Sequence, residues 1–233
     1  MKRLLTLCLL LTSITLSAQK KTKKDYLVTM ETTKGTMAII LFDKTPLHKA
    51  NFLKLAEEGF YENLLFHRVI NEFMIQGGDP NSKNAEKGAR LGSGGADLEK
   101  VPFEFVPEHV HLKGSLAAAR TNNPAKESSG CQFYIVTGKK YTDFQMTDMA
   151  KRVGLDYTED QRKAYIEEGG TPFLDNNYTV FGKVIKGIEI AEEIEKVETD
   201  GSDRPIEDVS MKVSVKKMKK KKITKLYGYH YNS

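Results

Sequence analysis

The run Phe66-His67-Arg68-Val69-Ile70-Asn71-Glu72-Phe73-Met74-Ile75-Gln76-Gly77-Gly78-Asp79 constrains the fold of this 233-residue chain more than any other. It reads as two apolar strands around a short turn, with Arg68 and Gln76 set among residues that a folded chain buries. Arginine is almost never fully buried without a partner. An arginine and an amide in an apolar wall therefore point to a pocket that grips a neutral polar group. The plainer alternative is a wall arginine paired with a carboxylate such as Glu72.

The flanking sequence supplies a β-rich frame. Tyr26–Thr32 and Thr36–Phe42 lie on either side of Lys34-Gly35 and form a hairpin. Thr45 and Pro46 open a helix, Leu47, Ala50, Phe52, Leu53 and Leu55 give it an apolar side, and Gly59 closes it in the left-handed conformation. Residues 77–95, rich in Gly, Asn and Ser, read as a flexible loop. Gly92-Ser93-Gly94-Gly95 within it lacks the strand, helix and Lys-Ser/Thr pair of a phosphate cradle. Short strands follow around Phe103–Phe105, 114–119 and 132–137. A second helix spans about 187–197, and Val209, Met211, Val213 and Val215 alternate in a closing strand. Many short strands with two framework helices make a mainly β chain, a closed antiparallel barrel with helices over its ends. Residues 139–171 carry two capping-box spacings, Thr142/Gln145 and Thr158/Gln161, with Gly154 and Gly169 as stops. They read as a helical hairpin inserted between two barrel strands.

The ends of the chain differ from this frame. Lys2 and Arg3 precede a nearly unbroken apolar run from Leu4 to Leu16, and Ser17-Ala18 offers small residues for cleavage. Residues 1–18 thus read as a secretory signal peptide, too short for a membrane-spanning helix, with no stable membrane insertion after cleavage. A polar linker, 19–25, follows. Cleavage leaves Cys131 as the one cysteine, so no intramolecular disulfide forms, and its plainest role is a small buried hydrophobe. The net charge of +5 is uneven: the leader carries two positive charges and 212–225 holds eight Lys and no acid. Residues 19–211 are left at −5, an acidic domain with a basic tail (218–233) and not a uniformly basic nucleic-acid binder. His109 and His111 stand two apart without a further ligand set, so no metal site is expected.

Over residues 26–217 the chain resembles the cyclophilins, the peptidyl-prolyl cis-trans isomerases. Ordered segments carry the likeness: Asn51-Phe52 with Leu55 and Gly59-Phe60-Tyr61, then Phe66–Asp79. Gly114–Arg120, Gly130–Ile135, Phe173-Leu174-Asp175 and Tyr178–Gly182 follow. The resemblance implies an eight-stranded barrel capped by two helices, isomerase activity on X–Pro bonds, and no cofactor. It assigns Arg68 as the catalytic arginine, with Phe73 and Gln76 beside it. Phe73, Met74, Tyr134 and Leu174 would form the proline pocket, and Gln76 would hydrogen-bond the substrate backbone. Backbone around Ala119 and Arg120 would dock the peptide, and Phe173 and Tyr178 would edge the pocket. By periodicity alone the apolar members of this set read as ordinary core.

Departures from the family pattern fall on one side of that groove. Phe173 stands where many eukaryotic relatives have Trp, which removes an indole N–H donor and counts against strong cyclosporin binding. Tyr178 replaces a common His, Arg120 a common Asn, and Tyr134 a common Phe, adding a hydroxyl that needs a partner. The expectation is an exported, periplasmic, monomeric isomerase acting on unfolded or loop X–Pro segments. The alternative is a proline-segment-binding module or holdase with little turnover. The inserted hairpin, lying in sequence between Tyr134 and Phe173, is expected to flank the groove.

Overall fold

Alternating apolar residues in Lys24–Thr32 (β1) and Gly35–Leu41 (β2) pair as an antiparallel hairpin in the computed structural model, which describes residues 23–231. Residues 1–18, read as a signal peptide, and the expected linker residues up to 22 lie outside the described residues. β1 begins at Lys24, within the 19–25 range expected for the linker, and buries Asp25 against Lys49 at 2.7 Å. Val28, Met30, Met37, Ile39 and Leu41 enter the main core, while Leu27, Ala38 and Ile40 face the other way. A strand apolar on both faces must be covered on both.

Seven more strands complete one sheet: β3 (Leu64–Leu65), β4 (Arg68–Ile70), β5 (Met74–Gly77), β6 (Ser115–Ala118), β7 (Phe133–Val136), β8 (Val180–Lys186) and β9 (Ser210–Lys219). Their order is β3-β9-β1-β2-β8-β6-β7-β5-β4, and every pairing is antiparallel. The two edge strands are joined by only Phe66 and His67, which bond in opposite directions. Phe66 N–H donates to Val209 O at 2.9 Å and His67 N–H to Gln76 O at 3.0 Å. The sheet is therefore strongly curled. It has nine strands where eight are expected because 64–70 divides into two short strands with different neighbours. Phe103–Phe105 forms no strand: Glu104 is used instead to accept from Leu47 and His48 N–H, both at 3.0 Å.

That carboxylate caps α1 (Pro46–Glu57), a role expected of Thr45, whose hydroxyl instead donates to Phe42 O. The other end of α1 follows its sequence. Gly59 adopts φ +71, with Phe60 N–H reaching Leu55 O and Gly59 N–H reaching Ala56 O. α1 and α4 (Ile188–Ile194) cover the main core with Phe52, Leu55, Ala191 and Ile194. In the insertion, α2 (Asp143–Val153) and α3 (Glu159–Glu167) form both expected capping boxes, and Gly154 stops α2 at φ +65. Val110, Tyr141, Met146 and Tyr165 make a separate cluster beneath it.

Residues 218–231 of the tail pack on the sheet. Residues Lys220–Tyr227 form α5, whose Ile223 is fully buried with Met218 against Leu27, Ala38 and Ile40. Tyr227, Tyr229 and Tyr231 pack on the same cluster. The tail thus covers the outward apolar face of β1 and β2. No helix among the described residues is long and apolar enough to cross a membrane.

Candidate active site

Strand alternation sorts the sheet residues onto two faces. Val69, Ile75, Leu116, Phe133 and Ile135 point into the main core of the curled sheet. Met74, Ala117, Tyr134, Val136 and Val180 form a second cluster on the opposite face, joined by Ile70, Phe73, Ala119, Leu174 and Tyr178. Register places Arg68 opposite Gln76, Gln76 opposite Tyr134, and Tyr134 opposite Ala117. A guanidinium and an amide thus cross the sheet in one row beside an apolar floor. Above that row is an open cleft of about 260 Å³, lined by Arg68, Phe73, Met74, Gln76, Tyr134 and Leu174 among others.

Each wall is held by distant partners. Glu72, in the turn between β4 and β5, has φ +55, and its N–H donates to Glu195 Oε2 at 2.8 Å. A non-glycine residue in this region costs roughly 1–3 kcal/mol, so the buried Glu195 carboxylate helps hold the turn that presents Phe73. Arg68 is half-exposed and contacts Asp203, not Glu72: its Nε donates to Asp203 Oδ2 at 3.4 Å. Its Nη groups have no partner among the described residues, so they can serve a ligand. Gln76 Nε2 donates to Gln132 Oε1 at 3.1 Å, and Gln132 Nε2 donates to the Gly92 and Gly94 carbonyls, each at 3.0 Å. Ala119 has both backbone groups engaged, with Gln132 O and Ser129 N–H. The open backbone at this strand end is that of Arg120, whose guanidinium lies 4.7 Å from the Tyr178 ring centre and whose Nε holds Asn177 O at 2.9 Å.

The floor residue Tyr134 is buried, and its hydroxyl meets His111 Nε2 at 2.9 Å. Burial, more than any neighbour, holds that phenol well above its ordinary pKa. Phe173 does not line the cleft; it stands at the rim, 37% exposed, with its ring 5.5 Å from Phe73.

Comparison with known proteins settles the family. The model of the cyclophilin-type peptidyl-prolyl cis-trans isomerases matches residues 27–215. The chain belongs to that family. A Staphylococcus haemolyticus protein named as a peptidyl-prolyl cis-trans isomerase is 37% identical over 185 residues, covering 78% of this chain and 86% of that one. A Streptococcus pyogenes protein named as a bifunctional phosphatase and peptidyl-prolyl cis-trans isomerase is 39% identical over 189 residues, 78% of this chain and 37% of its own. Among solved structures, a cyclophilin of Cryptosporidium parvum determined in the presence of the dipeptide Ala-Pro superposes with a TM-score of 0.56 at 26% identity. That superposition covers 82% of this chain and 98% of the other.

In this cyclophilin, sequence reasoning missed several parts of the site. The 77–95 loop, read as flexible, is pinned: Asp79 accepts from Asn81 and Gly92 N–H, and buried Arg204 donates to the Glu86 and Ala89 carbonyls. Pinning brings Leu91 and Gly92 to the cleft wall, where Ser202 joins them. His109 and His111 share no site: His109 stacks on Phe42 at 4.0 Å, and His111 pairs with Asp175. Among the described residues no group of three His, Cys, Asp or Glu is arranged to hold a metal ion. Burial pushes the Cys131 thiol up to about 11, so it is a poor nucleophile at neutral pH.

His67 beside Arg68 is the site's one pH-sensitive wall residue with both ring nitrogens buried and unpartnered among the described residues. Burial pushes its pKa down to about 4, with Asp79 opposing and Arg68 and Arg204 adding to the shift. The unfolded chain takes up this proton below about 6.5, the folded chain only below about 4. Stability from His67 is therefore present above that window and is lost as pH falls through it, by about 3 kcal/mol in total. Urea unfolding of wild type and His67→Gln at pH 7 and pH 4.5 reads this directly. The variant should show the shallower pH dependence; equal dependences would remove His67 from the account.

Proposed function

We propose that the Arg68 guanidinium drives rotation about X–Pro bonds bound in this cleft, in unfolded or loop segments of protein clients. The observation that carries the reading is the row Arg68–Gln76–Tyr134, with unpartnered Nη donors at one end and an apolar floor beside it. An X–Pro bond isomerises over a barrier of about 18–20 kcal/mol, in tens to hundreds of seconds. No bond breaks, so the reaction needs no nucleophile or acid–base pair. In the planar amide the prolyl nitrogen lone pair is delocalised; twisting localises it. A guanidinium beside it then gains a hydrogen bond that exists only in the transition state, the kind of differential binding that raises kcat.

Arg68 is not the whole mechanism. A 10⁵-fold acceleration needs about 7 kcal/mol, and a hydrogen bond to a charged group contributes about 1.5–3 kcal/mol. The remainder falls to Phe73, Met74, Tyr134 and Leu174, which desolvate the prolyl ring and weaken amide resonance. Gln76 and the Arg120 backbone hold the flanking chain near the twisted geometry. Phe173 and Tyr178 edge the groove.

This reading extends to setting. Residues 1–18 favour export, and with it a periplasmic, monomeric folding catalyst. The curled sheet, with its edge strands two residues apart in sequence, reads as the closed barrel of the family. A protease-coupled isomerisation assay on an Ala-Ala-Pro-Phe peptide tests the activity. Acceleration proportional to enzyme supports it, and peptide binding without acceleration would identify a holdase instead.

A further inference from the structure

One buried carboxylate ties the inserted hairpin to the floor of the proline cleft. Asp175 is 1% exposed, and four donors converge on it. Its Oδ1 accepts from the His111 backbone N–H at 2.8 Å and meets His111 Nδ1 at 2.6 Å. Its Oδ2 accepts the hydroxyls of Tyr157 and Tyr165, each at 2.7 Å. These fill the acceptor capacity of a carboxylate. Tyr157 lies between α2 and α3, and Tyr165 lies within α3, so half of the donors come from the insertion. Both phenols are held above their ordinary pKa, by burial first and Asp175 next, and both remain donors.

The other end of the network is the cleft. A carboxylate on Nδ1 requires a proton there, which in the neutral ring leaves Nε2 as an acceptor. Nε2 faces the Tyr134 hydroxyl at 2.9 Å. In that tautomer the phenol proton points toward His111 and away from the cleft, and the contact orients both rings. A phenylalanine would fill the same floor with no polar group to satisfy, and a buried His–Asp pair is expensive to desolvate. The hydroxyl, the imidazole and the carboxylate make sense together as an orienting device.

The hairpin also holds the turn that carries the other pocket residues. Tyr157 Oη, whose one proton goes to Asp175, lies 3.3 Å from Pro172 O, and Asn176 Nδ2 donates to Val153 O at 3.2 Å, on either side of Phe173 and Leu174. Its own cluster is separate from both the barrel core and the cleft floor.

We propose that the insertion is a positioning element for the proline pocket, acting from Tyr157 and Tyr165 through Asp175 and His111 onto the Tyr134 ring, and so sets affinity for the prolyl residue. The proposal rests on the isomerase reading of the cleft. Tyr157, Tyr165, Asp175 and His111 are positioning residues; none lines the cleft.

A mutant cycle on the full chain tests it, with Tyr157→Phe and Tyr165→Phe together on one axis and Tyr134→Phe on the other. Isomerisation of an Ala-Ala-Pro-Phe peptide gives KM and kcat, and NMR titration with the same peptide gives Kd without requiring turnover. Losing the two hydroxyls should raise KM and Kd about 3- to 10-fold while kcat stays within about twofold, because Arg68 is untouched. In the Tyr134→Phe background, where the link to His111 is already cut, the same pair should change Kd by less than about twofold. Equal changes in both backgrounds, or a fall in kcat with KM unchanged, would overturn the proposal. If the paired variant does not fold, Tyr157→Phe alone completes the same cycle with the same criteria. A wild-type chain that binds the peptide without accelerating it would sink the isomerase reading, while the Kd cycle would still decide the coupling.

Discussion

Arg68→Ala should lower kcat for an X–Pro peptide by about 10- to 100-fold while moving KM less than about threefold. The factor follows from removing one charge-assisted hydrogen bond of about 1.5–3 kcal/mol, at about 1.4 kcal/mol per tenfold. It falls on kcat because the prolyl nitrogen accepts only when the amide is twisted. Truncation should leave the fold intact. Arg68 is half-exposed, and its ion pair with the comparably exposed Asp203 is long at 3.4 Å. Surface pairs of that kind contribute little. Arg68→Lys is the sharper control. A lysine keeps the charge but loses the planar fork of donors, so a large loss there too would show that geometry, not charge alone, does the work. Stopped-flow assays of the protease-coupled reaction separate kcat from KM. An unchanged kcat in Arg68→Ala would remove Arg68 from the mechanism.

Asp175→Ala should be the most damaging single change away from the barrel core, costing about 3–5 kcal/mol of stability. The side chain is 1% exposed, and its loss would remove the shared acceptor of His111 N–H, His111 Nδ1–H, the buried Tyr165 hydroxyl and the half-buried Tyr157 hydroxyl. A buried donor left without a partner costs about 1–3 kcal/mol, and partial relaxation keeps the total below the sum. For a domain of this size about 1 kcal/mol corresponds to roughly 2–4 °C, so Tm should fall by about 10 °C. Asp175→Asn should cost less, since the amide keeps one acceptor oxygen. Urea and thermal unfolding measure both; a loss below about 1 kcal/mol for Asp175→Ala would mean that water replaces the carboxylate and that the network is slack.

The two variants mark different degrees of legibility. Arg68 could be singled out from its own neighbours, because a charged residue inside an apolar strand pair is locally anomalous. Asp175 could not. It follows a leucine in a short Pro-Phe-Leu-Asp turn, with no periodicity to mark it. Its importance comes from a histidine 64 residues earlier and from two tyrosines of the insertion. The same limit explains the partner of Arg68. Glu72 is four residues away in sequence, whereas the partner in the structure, Asp203, is 135 residues away. The hairpin turn directs Glu72 toward α4, where its N–H binds Glu195.

Local chemistry was readable wherever one segment carried both halves of an interaction. The capping boxes at Thr142/Gln145 and Thr158/Gln161 and the Gly59 stop formed as expected. So did the β1–β2 hairpin and the strand pair that sets Arg68 against Gln76. The α1 cap did not, because Glu104, more than fifty residues away, supplies two acceptor oxygens to N–H groups that Thr45 was expected to serve. The packing of the tail carried no local signal for a related reason. Five lysines gave it the composition of a solvated end, but the outward Leu27, Ala38 and Ile40 needed a cover, and Ile223 provides it.

The sequence by itself determined the β-rich frame, the inserted hairpin, the family and the row of residues that faces the cleft. Those follow from alternation, caps and motif order, which short-range sterics and hydrogen bonding enforce. Only the tertiary structure decided which carboxylate meets which donor: Asp203 with Arg68, Asp175 with His111 and two tyrosines, Glu195 with the strained turn. Such pairings carry no local signal, because a charge is met by whatever partner the fold brings within hydrogen-bonding reach, and the curl of the sheet sets that approach.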